Sequence, residues 1–316
     1  MRKLIISLAV LLITSCGISQ ETAEDLILLN KGNALYSLVF EDMDFDFEIH
    51  TTDSISSEGK IKISILKEQK EEILEVALKY FEELINDYPK SDLIYRALNN
   101  AALIYDQLDN TDQAIKYYKK ILTSDANDHE KGGIGKGIMA EPYALYKNRA
   151  CKSLAELYLQ QKDFDSALKY IRLTEKYPYK HFCGNEYAAN DIYMATLYAR
   201  SYYGLNEVEK ALSYSLPHIF NNSLASNTEI VELTVRILKE NKDYEKLISD
   251  FENSVKNYYS ETFKTNDSKW IEYNIDFMGV KIEIPNYTFE FGDEKEIIGV
   301  IKESYFYKLL KKDARL

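Results

Sequence analysis

The chain has 316 residues, 46% of them apolar and 28% charged, with only 12 Gly and 5 Pro. That composition excludes a disordered or collagen-like chain and favours helix, because Leu, Ile, Lys, Glu and Ala carry most of the length. A formal net charge of -12 excludes a binder of the phosphate backbone, since no Lys/Arg stripe is present to displace counterions; nucleic acid is not an expected partner.

The first sixteen residues differ from the rest. Arg2 and Lys3 form a basic start, Leu4 to Ile13 is an almost unbroken apolar run, and Ile13-Thr14-Ser15 leads into Cys16. Such a run is too short for a permanent membrane span and reads as a cleaved signal peptide over residues 1–15. It resembles a bacterial lipoprotein signal, which implies lipidation of Cys16, anchoring by several acyl chains and, with Gly17 following, an outer-membrane address. Losing Arg2 and Lys3 takes the chain from -12 to -14, which leaves the lipid as the expected attachment.

Residues 16–65 are expected to hold one helix, Glu21 to Phe40, with Leu26, Leu29, Ala34, Leu35 and Leu38 as its apolar stripe, followed by a separating segment, Glu41 to Ile65. Through residues 66–261 one pattern recurs: Ala77 with Phe81, Ala114 with Tyr118, Ala167 with Ile171, Ala211 with Ser215, and Leu247 with Phe251. Four of these are preceded by a second amphipathic set: Leu98, Ala101, Ala102, Tyr105; Cys151, Leu154, Ala155, Tyr158; Ala195, Tyr198, Ala199, Tyr202; and Val231, Thr234, Val235, Leu238. In each, a residue of the earlier helix lies twelve positions before the anchor, small in three cases, so that paired helices approach closely. Polar turns separate the members of each pair and carry helix-stop and N-cap residues.

These residues resemble the tetratricopeptide repeat, with Pro89 at that family's repeat-ending position and Pro178 one residue early. The resemblance implies an all-α, right-handed helical-hairpin solenoid. No repeat has the family's Trp, and the last has Leu247 in place of Ala. Anchor spacings of 37, 53, 44 and 36 exceed the family period of about 34 while the offset of twelve stays constant, so the surplus falls between repeats. The two long inserts, Asn127 to Lys147 and Lys180 to Asn190, are expected to share one edge.

Residues 262–316 change character. Trp270, Tyr273, Ile275 and Phe277 alternate, Met278-Gly279 turns, and Val280, Ile282 and Ile284 continue, which reads as a β-hairpin. Glu294 to Lys311 reads as a final helix, and hairpin plus helix are expected to cap the last repeat.

Little here suggests catalysis. His50, His129, His181 and His218 form no spaced ligand set, and no metalloprotease, nucleophile-elbow or phosphate-loop motif occurs. Gly132-Gly133-Ile134-Gly135-Lys136-Gly137 lacks the strand before it and the Lys-Ser/Thr after it that a phosphate loop needs. His181 and Cys183 supply two soft ligands where four are wanted. No metal, cofactor or catalytic residue is expected. Cys151 and Cys183 are placed to form a disulfide in an oxidising compartment, or to remain thiols.

The resemblance also implies a concave wall of first helices, carried here by Arg96, Asn99, Asp106, Arg149, Lys152, Glu156, Tyr193, Arg200 and Tyr203. Arg96 and Asn100 resemble part of a clamp for a peptide's terminal carboxylate, but Ser153 stands where another basic group belongs. A solvated face explains the same residues. The leading expectation is a lipid-tethered scaffold for a protein or peptide. The alternatives are a glycan-binding or import accessory protein, suggested by 26 Tyr, and an enzyme using the inserts, which rests on loop length alone.

Overall fold

In the computed structural model, residues 24–39, 57–131, 142–221, 223–264, 269–285 and 294–312 are described, the side chains of 57–67 and 294 excepted. The expected signal segment with Cys16, residues 41–56 and the Gly132 to Gly137 stretch lie outside them. The chain forms two compact units, Met1–Asn127 and Asp128–Leu316.

In the first unit, α1 is helical over residues 24–37 and widens into a π-turn at 38–39. It is followed by α2 (Ser57–Asp87), α3 (Ile94–Gln107) and α4 (Thr111–Leu122), with α2 packed on α3 and α3 on α4. The separating segment is therefore shorter than expected, since residues 57–65 belong to α2. The face that α1 buries is set by one close approach. A Cβ on Gly32 would lie 2.5 Å from the ring of Phe81, which is itself fully buried. Leu28 and Leu29 turn inward with Gly32, whereas Leu26, Ala34 and Leu38, expected on the inner stripe, face outward. Asn100 Nδ2 donates to Asn33 Oδ1 at 2.8 Å and Tyr88 Oη to Glu24 Oε2 at 2.7 Å, fastening α1 to the helices that follow.

The second unit repeats the hairpin: α5 (Tyr146–Gln160) with α6 (Phe164–Leu173), α7 (Gly184–Gly204) with α8 (Val208–Ser215), and α9 (Thr228–Asn241) followed by α10 (Tyr244–Lys256). Each second helix packs on the first helix of the next pair, α6 on α7 and α8 on α9, while α5 touches α7 and α7 touches α9. The anchors explain the spacing. Ala102, Ala114, Ala155, Ala167, Ala199 and Ala211 are fully buried, as are Phe81, Tyr118, Ile171, Ser215 and Phe251. Where Val235 faces the position of Leu247, the larger side chains hold α9 and α10 farther apart than the other pairs.

Three turns close identically. Asp109, Lys162 and Asn206 adopt the left-handed conformation at φ 56, 59 and 60. The next amide in each case, Asn110, Asp163 and Glu207, returns to the carbonyl of Tyr105, Tyr158 and Tyr202 at 2.8–2.9 Å. The same residue then starts the second helix, and Asn110 and Asp163 also accept from the amides of Gln113 and Ser166. Lys242, at φ -130, gives the fourth pair a different, extended turn.

The tyrosine that closes each turn also packs against one twelve residues later, stacked in Tyr158 with Tyr170 and Tyr202 with Tyr214 and tilted in Tyr105 with Tyr117. Ring centroids are 5.1 Å apart for Tyr105 and Tyr117, 5.5 Å for Tyr158 and Tyr170, and 5.6 Å for Tyr202 and Tyr214. Lys120, Lys169 and Lys210 lie 4.6–5.4 Å from rings of these pairs. Much of the tyrosine surplus is thus hairpin packing.

The tail departs from expectation twice. To the expected hairpin a strand is added: β1 (Tyr259–Lys264), β2 (Lys269–Phe277) and β3 (Val280–Ile284) form an antiparallel sheet in the order β1-β2-β3, with β2 and β3 turning at Met278-Gly279. The repeats therefore end a few residues before position 261, and β1 escaped notice because it is an edge strand with little apolar alternation. The final helix is also two, α11 (Glu294–Glu303) and α12 (Tyr305–Lys311), because Ser304 leaves helical geometry and accepts from the Tyr307 amide. Phe251 of α10 meets Phe277, Phe306 and Tyr307, and Lys239 of α9 donates to the carbonyls of Leu309 and Lys312. The tail thereby covers the last hairpin.

Substituting Gly32→Ala gains about 1 kcal/mol of helix propensity but overpacks a ring with no room to move, so a net loss of about 1–2 kcal/mol is expected in urea denaturation. An unchanged midpoint would show that the contact is not made. Burial, with Glu82 accepting from its hydroxyl, raises the Tyr117 phenol to about 12, and burial raises Tyr198 likewise. Unfolded tyrosines ionise near pH 10, so these groups stabilise the fold below that pH, and their contribution is lost as pH rises from about 10 to 12. Tyrosinate absorbance and loss of helix should therefore rise together in that window.

Candidate functional site

Arg149, Lys152 and Glu156 lie three and four residues apart on α5, and Tyr193, Arg200 and Tyr203 lie seven and three apart on α7, so each set occupies one helical face. Because α5 touches α7 and α7 touches α9, these faces form a continuous wall of first helices in the second unit. All six side chains are half-buried in it.

The members reach from helix to helix. Lys152 Nζ donates to Asn190 Oδ1 on α7 at 2.5 Å. Tyr193 is hydrogen-bonded to Glu156, Arg200 lies 3.8 Å from Glu229 on α9, and Tyr203 Oη donates to Glu240, also on α9. Asn190, Glu229 and Glu240 are the partners the sequence reading missed. For Glu229 a signal was present, since it occupies on α9 the position equivalent to Tyr193 on α7, thirty-six residues earlier, whereas Asn190 and Glu240 stand at positions the wall pattern does not select.

Lys152 is the most unusual group. Its ammonium lies 4.5 Å from the ring of Tyr179 and 5.5 Å from that of Tyr193. Burial lowers it to about 8, with the Arg149 charge acting the same way and Glu156 opposing. Burial, and then the Glu156 carboxylate, push the Tyr193 phenol well above its usual range. The centre of the wall is thus a desolvated cation held between two aromatic faces.

Both inserts border this centre. Residues 184–190 of the second insert are not loop but the first two turns of α7, which becomes 21 residues long. The remainder forms a strap. Asn148 Nδ2 donates to the Tyr177 carbonyl at 2.6 Å, the His181 amide to Tyr187 Oη at 3.1 Å, and the Cys183 amide to His181 Nδ1 at 3.1 Å. His181 stacks between Tyr179 and Phe182, so Tyr179 links the strap to Lys152. Because Nδ1 accepts, a neutral His181 carries its proton on Nε2, which is buried without a hydrogen-bond partner, as is Asn148 Oδ1. Phe182 projects outward, 69% exposed.

The first insert is closed at its base. Lys131 and Tyr143 form an isolated antiparallel bridge, and the Asp128 carboxylate accepts from the Lys147 and Asn148 amides at 2.6 and 3.1 Å, capping α5 from outside its own sequence. His129 Nε2 lies 3.1 Å from Lys180 Nζ, which joins the bases of the two inserts on one edge.

Other expected positions behave differently. Asn99 is not on an open wall; it is 2% exposed, with Nδ2 donating to Asn100 Oδ1. Asn100 is engaged by Asn33, so the amide of the suggested carboxylate clamp already has a partner. Arg96 and Asp106 are half-buried on α3, and burial raises the Asp106 carboxyl, with Asp109 adding. Cys151 and Cys183 stand as free thiols instead of a disulfide. Cys151 is fully buried on the core side of α5, and burial raises its thiol to about 12, whereas Cys183 sits half-buried at the start of α7. Among the described residues no group of three or more His, Cys, Asp or Glu is placed to hold a metal, and no helix is long and apolar enough to cross a membrane.

Residues 95–128, which span α3, α4 and the turn between them, match the tetratricopeptide repeat family. The chain therefore carries a tetratricopeptide repeat there, in register with the offset of twelve. No curated protein matches the chain.

Trace acetylation at a series of pH values should show Lys152 titrating near pH 8, well below the ~10.4 of an ordinary lysine. In Arg149→Gln the midpoint should rise, because a neighbouring positive charge has gone. A Lys152 profile matching that of exposed lysines would show that it is solvated.

Proposed function

We propose that this protein is a scaffold that binds an extended segment of another protein along the wall of first helices, within a right-handed solenoid of tetratricopeptide-type hairpins. The observation that carries the reading is Lys152, a cation desolvated between Tyr179 and Tyr193 at the centre of a wall in which Tyr193, Arg200 and Tyr203 each meet a carboxylate. A side chain kept this way is poised for a carboxylate, because removing water beforehand reduces what an incoming acidic group must displace. Tetratricopeptide repeats generally mediate protein association, which agrees with this use of the wall. Exposed Phe182 and the strap beside it would extend the contact towards the insert edge. The chain is read as a binding protein and not an enzyme.

We also read residues 1–15 as a lipoprotein signal and Cys16 as the lipid-bearing residue, which would tether the scaffold to the envelope, at the outer membrane where there are two. Tethering confines the scaffold to a thin layer and raises the effective concentration of any partner held there. The pairing of seven tyrosines inside hairpins weakens the glycan-binding alternative.

A photoreactive residue at Tyr203 in the full chain should give a covalent adduct with a protein in the envelope. Lys152→Glu should lower its yield roughly tenfold, the effect of losing about 1.4 kcal/mol of binding, while helix content stays unchanged. Cys16→Ser should release the chain from the membrane fraction. An adduct insensitive to Lys152→Glu would sink the binding reading, and a Cys16→Ser chain that still sediments with membranes would sink the tether.

A further inference from the structure

Successive side chains of a strand point to opposite faces of its sheet. On β2, Tyr273, Ile275 and Phe277 take the core face, which leaves Glu272, Asn274 and Asp276 on the outer one. In register beside them on that outer face stand Tyr259 and Glu261 of β1 and Lys281 and Glu283 of β3. Asn274 is in the middle, opposite Tyr259 on one side and Glu283 on the other, and it is fully buried. Among the described residues neither its Oδ1 nor its Nδ2 has a hydrogen-bond partner. Polar groups sealed from water are nearly always paired, so an amide with both ends open marks a place where something else binds.

The four carboxylates around this amide are unequally served. Glu261 is paired with Lys281 across β2, and Asp276 accepts from Tyr259 Oη at 3.2 Å. Glu272 gives one oxygen to the Trp270 indole N–H at 3.1 Å. Glu283 has neither a hydrogen bond nor an ion pair among the described residues. Partial desolvation, and then the Glu272 charge, raise its carboxyl, with Lys281 opposing. Glu272 and Glu283 thus stand on a diagonal of adjacent strands, repelling each other on either side of a free amide oxygen.

A water molecule would satisfy the amide but leave the two carboxylates in conflict. A cation answers both, and Lys281 is already committed to Glu261. Two carboxylates and an amide oxygen make a hard, all-oxygen set, which suits Ca2+: it accepts about six to eight oxygens at irregular angles, whereas Mg2+ demands a near-ideal octahedron and gives up its water reluctantly. Glu272 is half-buried and Glu283 exposed, so an ion can enter from solvent and keep waters on that side. The set needs no third carboxylate, in keeping with the lack of any such trio among the described residues.

We infer that Glu272, Asn274 and Glu283 form a Ca2+ site on the outer face of the sheet, with the Asn274 amide oxygen as its floor and water completing the shell. So few charged ligands give a weak site, with an affinity of about 10⁻⁴–10⁻³ M. Its occupation ties β2 to β3 where the bare strands repel, and thereby firms the tail that covers the last hairpin.

Terbium(III) takes the place of Ca2+ in oxygen sites and glows when a nearby indole is excited. Trp270, the only tryptophan of the chain, is hydrogen-bonded to Glu272 and serves as the antenna. Selective excitation of Trp270 in the whole chain should give terbium emission that Ca2+ displaces and an equal concentration of Mg2+ does not. Glu283→Gln should weaken terbium binding roughly tenfold or more with helix content unchanged. About 10 mM Ca2+ should raise the Tm of the parent chain by roughly 2–5 °C. In Glu283→Gln that rise should vanish, while the metal-free Tm equals or exceeds the parent's because the repulsion has gone. Emission that Ca2+ fails to displace, that Mg2+ displaces equally, or that survives Glu283→Gln overturns the inference. So does a parent Tm that ignores Ca2+, or a rise that Glu283→Gln retains.

Discussion

Two helices can lie backbone to backbone only where the side chains between them are small, and the three-residue turns that join such helices here each close through one residue in a left-handed conformation. The pairs α3 with α4, α5 with α6 and α7 with α8 depend on both conditions being met at once. Ala102 with Ala114, Ala155 with Ala167, and Ala199 with Ala211 supply the approach, and Asp109, Lys162 and Asn206 supply the reversal. The cost of a non-glycine residue in that conformation is offset by the hydrogen bond that the following amide makes to a tyrosine carbonyl, and the same tyrosine then packs across the hairpin. Where the small pair is replaced by Val235 and Leu247, the turn changes as well, and the aromatic tail packs against the looser hairpin.

Close hairpins also create the wall. With the second helices held behind, the first helices α5, α7 and α9 come side by side, and residues that would be solvated on a lone helix become half-buried neighbours. Polar groups in that position must find partners, and most do so across the helix boundary, as Tyr193 does with Glu156 and Arg200 with Glu229. Lys152 finds an amide oxygen and two ring faces, which accommodate its charge without a direct carboxylate contact. The capacity proposed for this site, to take an acidic group, rests on how tightly the hairpins stack and on the strap that carries Tyr179 to Lys152.

Much of this was legible beforehand because helical periodicity is local. Spacing alone located every hairpin, and offsets of three, four and seven on α5 and α7 selected six wall residues that the structure indeed gathers. The tyrosine partners in the second helices went unread although they recur three residues after each alanine anchor, because a search for small residues does not weigh large ones. Asn99 was misassigned because its offset matches the open positions of other repeats, while its burial depends on surroundings remote in sequence. The inner stripe of α1 was misphased for a related reason: Leu26 and Leu38 are as apolar as Leu28 and Leu29, and only Gly32 approaching Phe81 chooses between them.

The amino-acid order by itself determined the helices, their pairing, the short turns and the switch to strands near the end, since each depends on residues within about a dozen positions of one another. Tertiary structure alone decided which polar groups lose water, how the strap of residues 177–183 meets Lys152, that β1 adds an edge to the sheet, and that Cys151 is sealed away from Cys183. Those outcomes depend on desolvation and on contacts between segments far apart in the chain, and neither leaves a periodic mark in sequence.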